Sequence, residues 1–160
     1  MHPRTRPLVI GVGNAMRQDD GAGPALLGRL RRTLGDRCDF ALLSGEGGRL
    51  MHSWAGRGVV VVVDAVCSGA APGTLHRIEA HREKVPSKFF NYSTHAFSLA
   101  EAVELSRVLG TLPDELIIYG VEGERFDAGD ELSLSVSSGL DQLASLIEAE
   151  LARTALEATT

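Results

Sequence analysis

The chain predicts a three-layer α/β/α fold, in which helices cover both faces of a mostly parallel five-stranded sheet with one antiparallel edge strand. Three observations carry this expectation. Strand-like and helix-like segments alternate along most of the sequence. Residues 59–63 are consecutive valines, and a β-branched run without polar alternation suits a strand covered on both faces. Residues 74–78, after the turn Ala71, Pro72, Gly73, instead alternate polar and apolar side chains, as a more exposed strand does.

Residues 8–12 read as a buried strand running into a glycine turn. Residues 23–34 read as a helix, with Ala25, Leu26 and Leu30 at helical spacing and Gly35 just past its end. A short strand at 40–43 leads through the loop Ser44, Gly45, Glu46, Gly47, Gly48 into a helix ending near Trp54. The valine strand follows, bounded by Gly58 and Asp64. After the edge strand at 73–78 comes a polar, partly basic loop at 81–88 containing Pro86. A helix is predicted over 94–108, capped by Ser93 or Thr94, with Leu99, Ala102, Val103 and Ser106 along one face. The last strand is at 116–121 and a polar loop at 123–131. The final helix, about 138–151, turns Leu140, Leu143, Ala144, Ile147 and Leu151 inward. No repeat or linker interrupts this order, and residues 1–160 read as one domain.

A hydrophobic content of 44% is enough for one sizeable core. The net charge of −5 argues against nucleic-acid binding, which needs a clustered basic face. No apolar stretch is long enough for a membrane helix. Arg4 and Arg6 precede an apolar segment that stops at Val12, too short for a secretory signal. Two cysteines, Cys38 and Cys67, make no disulfide framework and lack metal-finger spacing. Cys67 reads as a small buried hydrophobe. The expected setting is cytoplasmic.

In such folds strand C-termini and helix N-termini share one edge, and ligands bind there. Asp20 follows the first strand and opens the first helix, Asp64 directly ends the valine strand, and His95 falls in the first turn of the 94–108 helix. Taken singly, each has an ordinary role: a cap, a turn former, a ring pinned by a carbonyl. Taken together, three ligand-type groups meet at the binding edge. A protonated histidine at a helix N-terminus is disfavoured, so a neutral ligand role suits His95. Two carboxylates and an imidazole accept nickel, zinc or copper. Three ligands leave coordination positions open, as in a site that shares its metal with substrate or water.

Gly11, Val12, Gly13, Asn14 with Asp19, Asp20, Gly21, Ala22, Gly23, then Val63, Asp64, Ala65, then Ser93, Thr94, His95 resemble the hydrogenase maturation endopeptidases. Tyr119, Gly120, Val121, Glu122 and Leu132, Ser133 extend the resemblance over nearly the whole chain. It implies an enzyme that clips a C-terminal extension from the large-subunit precursor of a nickel–iron hydrogenase after nickel insertion. The family's nickel-recognising trio falls on Asp20, Asp64 and His95. Nickel then arrives with the substrate, and the enzyme needs no tightly bound cofactor of its own. Asp20 or Asp64 is the expected catalytic base, assisting nickel that polarises the scissile carbonyl or a bound water. The sequence departs from the family pattern where Glu46 follows Gly45 and where Gly123 follows Glu122. Gly45 and Glu46 become candidate substrate-binding residues, with Glu46 able to alter substrate choice or add a fourth oxygen ligand. Glu122 reads equally well as an acid that hydrogen-bonds a loop. Phe89, Phe90 and Tyr92 beside the basic loop offer a substrate wall.

No Gly-x-Ser-x-Gly elbow or His-Glu-x-x-His helix is present, so serine and zincin chemistries lack their signatures. Gly11 and Gly13 also suggest a dinucleotide site, but Met16 stands where its third glycine belongs and Ser44 where the ribose-binding acid would be. The same residues could also serve a module that recognises a metal-bearing tail without cutting it, or a self-sufficient zinc peptidase.

Overall fold

In the computed structural model, which describes residues 6–90 and 95–158, strands β1 (Leu8–Val12), β2 (Asp39–Leu43), β3 (Val59–Val66), β4 (Leu75–Glu79) and β5 (Glu115–Glu122) form one sheet in the order β2-β1-β3-β5-β4. All neighbours are parallel except β4, which runs antiparallel to β5 at the edge. Helices α1 (Ala22–Leu34) and α4 (Leu134–Ala158) cover one face, and α2 (Gly47–Trp54) and α3 (Leu99–Leu109) the other. The valine run shows why the sheet is covered twice. Val60 and Val62 pack with Leu50, Trp54 and Val103, while Val61 and Val63 pack with Leu26, Leu30 and Leu143. Between α2 and α3 the buried Trp54 indole N–H donates to the Ser106 hydroxyl at 3.0 Å, which satisfies both groups. Among the described residues no helix is long and apolar enough to cross a membrane.

Three elements depart most from the sequence reading, each for a physical reason. Strand β3 does not end at Asp64 but continues through Ala65 to Val66, because β5 pairs with it as far as Val66 opposite Glu122. Pairing with β1 stops earlier, at Gly11 opposite Val63. Asp64 therefore sits inside a strand at the point where pairing with β1 has ended. Helix α3 starts at Leu99, not near residue 94, because the Ser98 N–H and hydroxyl both donate to the Glu101 carboxylate, at 3.2 and 2.7 Å. His95 thus precedes the helix, and the dipole argument for its neutral state loses its basis. The expected caps Ser93 and Thr94 lie outside the described residues, as does Tyr92. Helix α4 is longer at both ends than 138–151. Serine and glycine near its start are poor helix formers, but burial of Val136 and Leu140 against the sheet overrides that.

Asp19 ties the two loops at the carboxyl edge together. Its buried carboxylate accepts from the backbone N–H of Ser133 (2.8 Å), Glu124 (2.8 Å) and Arg125 (3.0 Å), and from the Ser133 hydroxyl (3.0 Å). Burial pushes this carboxyl up, but the four hydrogen bonds outweigh it and hold it below the usual range. A folded-state pKa below the unfolded one means stability that is present above about pH 4 and lost as pH falls through the lowered value. Asp19→Asn is therefore expected to flatten the acid limb of a Tm-against-pH curve. Asp19→Ala, which orphans three N–H groups and a hydroxyl, is expected to cost about 3 kcal/mol in urea unfolding at pH 7.

Candidate active site

The chain leaves β1 at Val12 and turns at Gly13, whose φ is +138°, into a short 3-10 turn, Gln18–Gly21, that runs directly into α1. A Cβ on Gly13 would lie 1.9 Å from the Asp20 carbonyl oxygen, so no other residue lets this turn close. The closure brings the buried Asp20 back beneath the loop, where its Oδ2 accepts from the Asn14 N–H at 2.9 Å. Asp64, also buried, comes from β3. His95, half-buried, comes from the segment before α3.

All three line a single small cleft of about 30 Å³ at the carboxyl edge of the sheet, together with Gly45. The 44–47 loop closes one side of it. A Cβ on Gly45 would stand 3.9 Å from His95 Cδ2, and the Gly47 N–H donates to the Phe97 carbonyl oxygen at 2.9 Å. Phe90 forms part of the wall. Among the described residues no three His, Cys, Asp or Glu side chains are gathered tightly enough to enclose an ion. The arrangement sets two carboxylates and an imidazole on the walls of one small cleft.

Other residues singled out from the sequence sit elsewhere. Glu46 caps α2, accepting from the N–H groups of Gly48 and Arg49 at 2.8 and 3.0 Å, and these bonds hold its carboxyl below the usual range. It borders a separate hollow with Leu43, Arg49 and His52 rather than the Asp20 cleft. Glu122, buried at the end of β5, accepts from the Ser68 N–H at 2.7 Å and the Ser68 hydroxyl at 2.5 Å, and meets His76 Nε2 at 3.1 Å. It anchors the loop after β3, the loop-bonding role. Cys67 is exposed, not a buried hydrophobe, because it lies just beyond the end of β3; Cys38 is the buried thiol. Phe89 packs on His76 with ring centroids 4.9 Å apart, and the basic loop is pinned by Arg107, whose guanidinium donates to the Ala80 and Glu83 carbonyl oxygens.

Sequence reasoning misses Arg17, Ser44, Ser98 and Leu99, which also line the cleft. For Ser98 a signal exists, the Ser-x-x-Glu spacing to Glu101. Arg17 lies between the Gly-Asn and Asp-Asp halves of the glycine-turn motif, where no periodicity reveals which way a side chain turns.

A family model described as hydrogenase maturation protease matches residues 43–150, a span that holds Asp64 and His95. The Hydrogenase 2 maturation protease of Escherichia coli is 29% identical over 157 residues, covering 96% of this chain and 94% of that protein. The hydrogenase expression/formation protein HupD of Thiocapsa roseopersicina is 33% identical over 125 residues, covering 75% of this chain and 55% of that protein, so the chain spans only about half of its length. The solved structure of the hydrogenase maturating endopeptidase HybD from Escherichia coli superposes with a TM-score of 0.78 at 28% identity, covering 94% of each chain.

Proposed function

This chain belongs to the hydrogenase maturation protease family, and on that premise we propose that it removes the C-terminal extension of a nickel–iron hydrogenase large-subunit precursor once nickel is in place. The observation that carries the reading is the convergence of Asp20, Asp64 and His95, from three distant segments, on one cleft. In this reading the nickel is part of the substrate. The cleft's two carboxylates and imidazole complete its coordination as the precursor docks, so an unloaded precursor is left uncut. Nickel polarises the scissile carbonyl or a bound water, and Asp20 or Asp64 accepts the water proton. Gly45 brings the 44–47 loop against His95 and leaves space there for the substrate chain, while Glu46 sets the position of that loop by capping α2. Two free cysteines fit a reducing, cytoplasmic place of action.

The test is the intact mass of a nickel-loaded precursor after incubation with the protein, beside a nickel-free precursor. Loss of the tail from the loaded precursor alone is expected, and Cys67→Ala is expected to cut as the wild type does. Tight binding of the loaded precursor without any cleavage would identify a recognition module instead.

A further inference from the structure

Among the described residues, the ionisable side chains lining the cleft are those of Arg17, Asp20, Asp64 and His95. Peptide hydrolysis there builds a new negative charge on the scissile carbonyl oxygen, close to two carboxylates that repel it. Where nickel activates the water instead of the carbonyl, another cationic or strongly donating group must face that oxygen. In the endopeptidase reading, on which this inference rests, His95 offers its lone pair to the substrate's nickel. The Ser98 hydroxyl is committed to Glu101 at 2.7 Å. Ser44 is neutral and exposed. Arg17 remains.

Its setting is that of a placed group. The Arg17 N–H donates to the Asn14 carbonyl oxygen at 3.1 Å, and one guanidinium nitrogen donates to the Phe126 carbonyl oxygen at 3.3 Å. Among the described residues its guanidinium makes this one hydrogen bond and no ion pair, so most of its five N–H donors are not spent on them. The next residue, Gln18, has a φ of +50°, the one non-glycine residue with positive φ among those described. That turn is stitched down on both sides: Gln18 N–H donates to the Gly129 carbonyl oxygen at 2.8 Å and Gly129 N–H to that of Met16 at 2.9 Å. The reversal at Gln18 leaves Arg17 on the cleft while Asp19 is buried under the 124–133 segment.

We infer that Arg17 is a catalytic residue of this cleft, donating to the scissile carbonyl oxygen and holding the oxyanion of the tetrahedral intermediate. Water loses a proton to an aspartate of the cleft as its oxygen bonds to the carbonyl carbon. The carbonyl π pair moves to oxygen, and the resulting oxyanion is held by the guanidinium. When the intermediate collapses, the carbon–nitrogen bond breaks and the leaving nitrogen takes the proton from the carboxyl group. Atoms and charge balance without any further reactant.

Steady-state cleavage of the nickel-loaded precursor by wild type, Arg17→Gln and Arg17→Lys tests this, with thermal melts confirming that each is folded. Arg17→Gln is expected to lower kcat by about 100- to 1000-fold with KM unchanged. Arg17→Lys, which keeps the charge but not the fork, is expected to recover part of it. Should Arg17→Gln melt early, the Lys variant alone decides, since a purely structural role would leave its kcat at the wild-type value. Wild-type kcat in a folded variant, or a raised KM with kcat intact, would overturn the assignment and leave Arg17 a docking contact or nothing. Failure of the wild type to cleave would instead overturn the endopeptidase reading beneath it.

Discussion

Asp20→Asn and His95→Ala are expected to fold like the wild type yet leave a nickel-loaded precursor essentially uncut, each slowing cleavage by about 100-fold or more. The Asn substitution keeps the shape of the side chain and an oxygen able to accept from the Asn14 N–H, so the turn over Asp20 survives. What is lost is the charge, and with it the ability to ligate a cation or take a proton. His95 is half-buried and lies outside any helix, so its removal is expected to cost about 1 kcal/mol in stability, the centre of the range for single substitutions. Intact mass and thermal melting on the same samples separate the two effects. A variant that melts at the wild-type temperature and still releases the tail at the wild-type rate would remove that residue from the mechanism.

Gly23→Ala is expected to give a large loss of stability, about 3 kcal/mol or more, in urea unfolding of the protein alone. A Cβ there would meet the Val12 carbonyl oxygen at 2.3 Å, the Val12 nitrogen at 2.7 Å and the Val63 carbonyl oxygen at 2.8 Å. All three are backbone atoms of β1 and β3, so none can rotate away. Helix α1 would have to lift from the sheet at its first turn, and the lift would carry Asp20 out of the cleft. Gly28→Ala on the same helix is the control, because a Cβ there meets nothing within 4 Å. That substitution is expected to be neutral or stabilising by about 1 kcal/mol. Equal stability of the two variants would show that α1 does not rest on the strands through Gly23.

Much of the fold is legible in the sequence because its signals are local. The valine run, the apolar stripe of α1 and the alternation at β4 each follow from a period that the backbone imposes on side chains, 2 or 3.6 residues. Strand β1 spans the residues its apolar run predicts, Leu8–Val12. Where a boundary depends on a partner, the local signal misleads. Nothing within residues 59–66 says that β5 will hold β3 extended past Asp64, and the start of α3 hinges on a side chain three residues beyond its cap.

The candidate site divides along the same line. By itself the sequence brought Asp20 and Asp64 to the carboxyl edge, since the strands of alternating elements share a direction, whereas His95 lines the cleft although the helix start it was read from lies at Leu99. It did not determine which neighbours join them. Asp19 and Asp20 are adjacent and chemically alike, yet one is consumed by four hydrogen bonds to the 124–133 segment and the other lines the cleft. Glu46 and Glu122, equally good ligands by residue type, are spent on a helix cap and a loop anchor, while Arg17, which no pattern singles out, faces the cleft. Only tertiary structure decides such cases, because a carboxylate or guanidinium goes where unpaired backbone groups from distant segments await it. Those partners, unlike an apolar period, leave no trace in the residues on either side.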